Sequence, residues 1–366
     1  MRPLLAAALG LVAGVAHTAP ATPKPQTLYV RPHGEITAFA QDGPLVAWFA
    51  KGKPCNTVHV LSLANGLQVP LPTQGTARNV TCKWDVGSTV GLALGGTNVL
   101  WTLRENDPIP FDYVVGADAR PVAVDREERR FQEVAHTKRG SGLWLGGIAG
   151  DHSTLVYGTT SVDYEDEAGC LAGTGSCALK VAGGGVYRIV GRKPELVSGT
   201  GPAVAVAASG GSVAYVPPSS SVGKDGRPAA DLEIDVVDAR TGTPVSSVTT
   251  QGPPMALAFA PHALATLERT ALGLRLAWYD PATGAPGGSV SVPQATSPEL
   301  TASDQLVVFH VGRSLRAVDL VTHAIRVLGR ASVPPIGLSL EGGRLAWGEN
   351  INGTGRIRAL YVRGRG

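Results

Sequence analysis

Charge is sparse in this 366-residue sequence: Asp, Glu, Lys and Arg make up 17% of it and balance to a formal +3. So few cations cannot form a basic stripe, and nothing in the charge supports a nucleic-acid partner. Beyond the N-terminal segment no stretch reaches the ~18 apolar residues of a membrane-spanning helix, so no integral span is expected in the mature protein. Catalytic signatures are missing as well. There is no HExxH pair and no G-x-S-x-G elbow. The His residues beyond that segment (His33, His59, His136, His152, His262, His310 and His323) show no short paired spacing. They read as hydrogen-bonded strand and loop residues, and no organic cofactor is expected.

Cysteine is rare but even in number: Cys55, Cys82, Cys170 and Cys177. The chain opens with Arg2 and an apolar run from Leu4 to Ala16, followed by small residues. That is the shape of a signal peptide over residues 1–21, with cleavage after Ala16 or near Ala19 to Ala21. An exported chain makes disulfides the default use of four cysteines. Of three possible pairings, Cys55–Cys82 and Cys170–Cys177 are preferred. A zinc site would require paired short knuckles that these spacings lack.

What the sequence has in plenty is glycine (47) and proline (27), placed between short apolar phrases. One phrase recurs seven times: VAWF (46–49), VLWT (99–102), LVYG (155–158), VAYV (213–216), LATL (264–267), LVVF (306–309) and LAWG (345–348). Each is preceded by one strand pattern and followed by others. Such a recurrence, with several strands per unit, is the mark of a radial repeat architecture. Trp48, Trp101 and Trp347 share one position in the phrase with Tyr157 and Tyr215, so these rings are expected in the core between blades rather than at a ligand. Trp84 and Trp144 fall outside that register, near the starts of inner strands.

Blades one to six each offer four strands and blade seven only three. An unpartnered strand, Gln26–Pro32, can supply the missing one. The expected fold is therefore an all-β, seven-bladed β-propeller over residues 26–363, closed by an N-terminal latch strand. A miscount among the wider early spacings would make it six-bladed. With its apolar-aromatic second strands and the D-x-x-T-G corners at Asp238 and Asp280, the chain resembles exported TolB-like and WD40-like β-propeller proteins. The resemblance covers about Gln26 to Arg363 and carries over no functional residue.

Loops alternate between the two faces of such a ring. The large additions, residues 126–141, 161–184 and 218–231 among them, all fall on the face of the second-to-third corners. The opposite face has short turns such as Gln41-Asp42-Gly43. An elaborated face on a rigid scaffold is where binding is expected. Its strongest polar group is Asp163, Glu165, Asp166 and Glu167, which reads as a calcium loop, a docking patch for a basic partner, or solvated surface. Glu105, Asp107, Asp112 and Glu349 are further acidic candidates.

These features point to an exported, secreted or periplasmic, non-catalytic propeller that binds a protein, peptide or cell-envelope glycan. One alternative is a glycoside hydrolase or lyase, which requires acids converging within ~10 Å around a pocket. A structural or assembly role in the envelope is the other.

Overall fold

The computed structural model describes residues 24–31, 34–50, 57–72, 88–96, 98–105, 111–118, 129–134, 141–164, 179–191, 193–222 and 227–362. They form seven four-stranded antiparallel sheets and one additional two-stranded hairpin. Six sheets take their strands in chain order. The seventh joins Ile336–Glu341, Arg344–Ile351 and Thr354–Tyr361 to the N-terminal strand Gln26–Arg31.

The inner strands are Ile36–Asp42, Ser88–Gly95, Ser141–Asp151, Ala205–Ser209, Pro254–Ala260, Thr296–Ala302 and Ile336–Glu341. Each packs against the next, and the last returns to the first. All but Ala205–Ser209 shift register once against their partner, a bulge that bends and twists the strand as it leaves the axis.

The recurrent phrase forms the second strand of every sheet. Its second residue pairs in each case with a small residue of the inner strand. These inner partners are Ala40, Ala93, Ala149, Ala207, Ala258, Ala302 and Ser339. Together they line a narrow axial channel of about 240 Å³. Seven strand edges converge there, which leaves room for a methyl or hydroxymethyl group and little more.

Seven apolar clusters fill the wedges, one between each pair of neighbouring blades. Trp48, Trp101, Trp347 and Tyr157 are fully buried in them, as their shared register predicts. Blade three meets the neighbouring chain closely at two glycines of its inner strand. A Cβ on Gly150 would lie 2.0 Å from the Leu94 carbonyl oxygen of blade two, and one on Gly146 would lie 1.9 Å from that of Ala203. Neither obstacle is a side chain that can turn aside. Gly150→Ala is therefore expected to destabilise the fold by about 3 kcal/mol or more, at or above the usual range for overpacking. A melting temperature equal to that of the wild type would refute this close approach.

The matching corners fold as read. The Asp238 Oδ1 accepts the Arg240 and Thr241 N–H groups at 3.0 and 2.7 Å, and Asp280 and Asp319 repeat the motif. The Thr241 and Thr322 N–H groups hold the Asp238 and Asp319 carboxyls below the usual carboxylate range. Gly242 and Gly284 take positive φ at the turn's end, and His323 occupies the same place at φ 59°.

The latch strand pairs with Thr354–Tyr361, from Gln26 opposite Ala359 to Arg31 opposite Gly355. Closure is reinforced by Asn350, whose side chain accepts the Ile36 N–H at 2.7 Å and donates to the Ile36 carbonyl at 2.8 Å.

One strand assignment differs. The fourth strand of blade two is Arg129–Val134, within the segment read as a surface loop. Residues 119–128, between it and the third strand, lie outside the described residues. An outermost strand has one unpaired edge facing solvent and tolerates the charged composition that suggested a loop.

Candidate functional site

On the loop-bearing face, blade three stands out. Its second and third strands, Thr154–Tyr164 and Leu179–Val190, are 11 and 12 residues long, against five to eight elsewhere in the ring. Asp163 pairs with Ser141 on one side and Lys180 on the other, so the ladder runs on well past the recurrent phrase. The insertion expected to begin at Ser161 is in this part a continuation of strands. Alternation in Ser161-Val162-Asp163 explains it: Val162 is buried and Asp163 exposed.

The blade-four insertion folds into a hairpin, Pro218–Val222 with Pro228–Ala230, which packs against the long third strand of blade three. From the end of this hairpin loop, the Arg227 guanidinium sits 5.1 Å over the Trp144 ring. Trp144 is only 7% exposed and therefore offers no open stacking surface. The result is a β-arm whose ladder runs three residue pairs further past the recurrent phrase than in blades two and seven, roughly 10 Å at strand rise, buttressed from the side.

Asp163 lies on this arm, near the point where the chain enters segment 165–178. Glu165, Asp166, Glu167, Cys170 and Cys177 fall in that segment, outside the described residues. Cys55, Cys82, Trp84 and Asp107 are outside them too. Glu105 and Asp112 lie near the joined ends of the middle strands of blade two, with Glu105 opposite Phe111 and Arg104 opposite Asp112. Glu349 does not face a cleft. It is buried in blade seven, and its Oε1 accepts the Trp347 indole N–H at 2.8 Å and the Ser332 N–H at 3.0 Å.

A second constellation lies on the opposite, short-turn face, where sequence reasoning expected little. Asp42, Asp151, His152 and Glu341 bring their polar atoms within 4.8 Å of one another. Three of the positions are equivalent: Asp42, Asp151 and Glu341 each stand two residues beyond the small residue that lines the channel. The repeat frame contains that signal, but the distance between blades does not appear in it.

Asp42 is 7% exposed, and its two oxygens accept the Gly96 N–H at 3.0 Å and the His152 N–H at 2.9 Å. The His152 Nδ1 lies 2.9 Å from Asp42 Oδ1 and 3.1 Å from Asp151 Oδ1. Asp151 also accepts the Gly210 N–H of blade four at 2.7 Å. The centre of the group is thus held by an imidazole and by backbone N–H donors. Asp42 and then Asp151 raise the His152 pKa above the ordinary histidine value. Burial pushes the Glu341 carboxyl up, reinforced by Asp42 and Asp151 and opposed by His152. An open hollow of about 660 Å³ lies beside these groups, bordered by Pro44, Asn65 and Ser153.

No protein-family model matches this chain, TolB-like families included, and no curated protein matches it in sequence. Solved structures do. A chain of the mitotic checkpoint complex, a WD40 β-propeller protein, is 13% identical with a TM-score of 0.52, and the match covers 98% of each chain. The computationally designed Ika8 protein is 14% identical with a TM-score of 0.47, covering 91% of this chain and 98% of that one. The chain is a β-propeller. At such identities the likeness speaks for the fold alone.

Proposed function

We propose that this protein is an exported, non-catalytic binding scaffold that takes a protein or peptide partner on its loop-bearing face, at the blade-three arm. The observation that carries this reading is the arm itself. Strands Thr154–Tyr164 and Leu179–Val190 stay paired out to Tyr164, with one register shift between Ser161 and Val162, and the neighbouring hairpin packs against the second of them. A rigid mount of this kind presents a loop for recognition at low ordering cost. Asp163 is an exposed residue of the arm, and the sequence that follows carries Glu165, Asp166 and Glu167, a composition suited to a basic partner. Export rests on the N-terminal apolar run, and a Cys170–Cys177 disulfide belongs to the same reading. Calcium bound by these carboxylates would accompany it, and an envelope glycan is the alternative ligand.

The carbohydrate-active alternative asks for converging acids around a concave site. Asp42, Asp151 and Glu341 meet the distance and border a hollow. Yet Asp42 and Asp151 already accept backbone N–H groups from neighbouring blades, and Asp42 is buried. Acids engaged in this way hold the ring together and are poorly placed to protonate a glycosidic oxygen or attack a sugar.

The test is capture from the envelope or secreted fraction by the mature protein, with captured partners identified by mass spectrometry. It is compared with a folded variant carrying Asp163→Ala, Glu165→Ala, Asp166→Ala and Glu167→Ala. A partner that the variant loses, and that salt weakens in the wild type, is the expected result. Equal capture by both forms moves the contact off the arm. If neither captures anything while glycan hydrolysis is detected, the alternative replaces this reading.

A further inference from the structure

We propose that the Asp42–Asp151–His152–Glu341 junction is a pH-sensitive clasp. Protonated His152 holds the short-turn hairpins of blades seven, one, two and three together at mildly acidic pH, and its deprotonation slackens them. The inference is independent of what the opposite face binds.

The geometry sets the chemistry. One Nδ1–H group cannot donate fully to Asp42 and Asp151 at once, although both oxygens lie in reach at 2.9 and 3.1 Å. A positive charge on the ring satisfies both, because charge-assisted contact is less demanding of direction than a single neutral hydrogen bond. With Nδ1–H turned inward, the proton is gained and lost at Nε2. The His152 side chain is 65% exposed, so that exchange needs no rearrangement of the ring.

The charged groups around the imidazole are Asp42 from blade one, Asp151 from its own strand and Glu341 from blade seven. Beyond Glu341 on the same hairpin lies Arg344, which donates to the Gln41 side chain at 3.1 Å and to the Gly43 carbonyl. Blade two meets His152 with backbone: a Cβ on Gly96 would stand 3.0 Å from the His152 carbonyl oxygen. Once the ring is neutral, three carboxylates face one another across this junction with only neutral donors, the imidazole and backbone N–H groups, among them. Like charges so placed repel, and Asp42 is too buried for water to relieve them.

The signs agree. A histidine whose pKa is raised by folding contributes stability that is full below its ordinary value and is lost as pH rises through the folded value. Glu341, also raised, adds a penalty as it ionises, again with rising pH. Both groups loosen the junction in the same direction.

The experiment uses the full chain, with a histidine-ring NMR titration and amide-exchange protection measured at Gly96 and His152. These are the two amides bound to the Asp42 carboxylate. The His152 midpoint is expected above the ordinary value of about 6.5, with protection of both amides falling about tenfold across it. His152→Asn removes the titration while suiting the left-handed turn at φ 47°, and should abolish the step. Glu341→Gln should lower the midpoint while keeping a side-chain oxygen for the Gly43 N–H. A midpoint at or below the ordinary value, flat protection, or a step that survives in His152→Asn overturns the clasp.

Discussion

A chain lacking Gln26–Arg31 is expected to lose its soluble monomeric form. The deleted strand is the outer strand of blade seven and covers the edge of Thr354–Tyr361. Its Tyr29 packs on the Trp48 ring of blade one with centroids 4.7 Å apart, and Leu28 joins the same apolar cluster. Both side chains are partly buried, and each contributes about 1 kcal/mol, roughly half the figure for complete burial. Five paired residues add roughly 0.5–1.5 kcal/mol per hydrogen bond. The total is on the order of 5 kcal/mol or more, comparable with the whole stability of a typical domain. Arg358 would also lose its contacts with Thr27 and the Pro25 carbonyl, leaving it beside buried Glu349 with no tie to the latch. The exposed strand edge then becomes a template for pairing between chains. Size-exclusion chromatography with thermal denaturation reads the outcome. A monomer that melts like the wild type would show that the ring closes without its latch.

That latch was legible in the sequence because it follows from counting: six complete units, one short unit and one spare strand. The second strands were equally legible, since the third residue is a large ring in five of the seven phrases and the second pairs with a small inner-strand residue in all seven. The wider spacings hid more. Around blade three, polar residues such as Ser161 and Asp163 read as a loop, yet they alternate with a buried Val162 and extend the ladder instead. The blade-two fourth strand was obscured for a related reason, because an outer edge can carry charge and lose its apolar signature. The short-turn cluster was the least accessible. Asp42, Asp151 and Glu341 are separated by more than a hundred residues in each step along the chain. Only the curvature of the ring, with the hairpins of blades seven, one and three leaning toward one another, brings their oxygens into reach.

Glu268→Ala is expected to destabilise the protein by about 3–5 kcal/mol, the penalty for breaking a buried ion pair by removing one partner. Glu268 is 0% exposed. Its Oε1 accepts the Thr266 and Tyr279 hydroxyls at 2.6 and 3.0 Å, and its Oε2 accepts Arg275 Nη1 at 2.8 Å and the Gln251 N–H at 3.2 Å. Alanine would leave four donors facing a void, one of them a guanidinium. Glu349 occupies the same place in its own repeat, directly after the four-residue phrase, and it too accepts an N–H from the link entering its blade. In blades five and seven this position therefore bolts the second strand to the incoming chain, a structural task that an acid next to a turn does not announce in sequence. Glu268→Leu combined with Arg275→Met should recover only part of the loss, because apolar packing replaces the ion pair while the Thr266 and Tyr279 hydroxyls and the Gln251 N–H stay without this acceptor. The same network makes stability sensitive to alkali. Burial, followed by the Glu268 charge, pushes the Tyr279 pKa up to about 12. The contribution of this tyrosine is full below its ordinary value near 10 and is lost as pH rises toward the folded value. Urea unfolding at pH 7 and again at about pH 11 separates the two effects. An unchanged midpoint for Glu268→Ala at pH 7 would refute the bolt. A Tyr279→Phe variant that retained the full alkaline loss would place that sensitivity on another group.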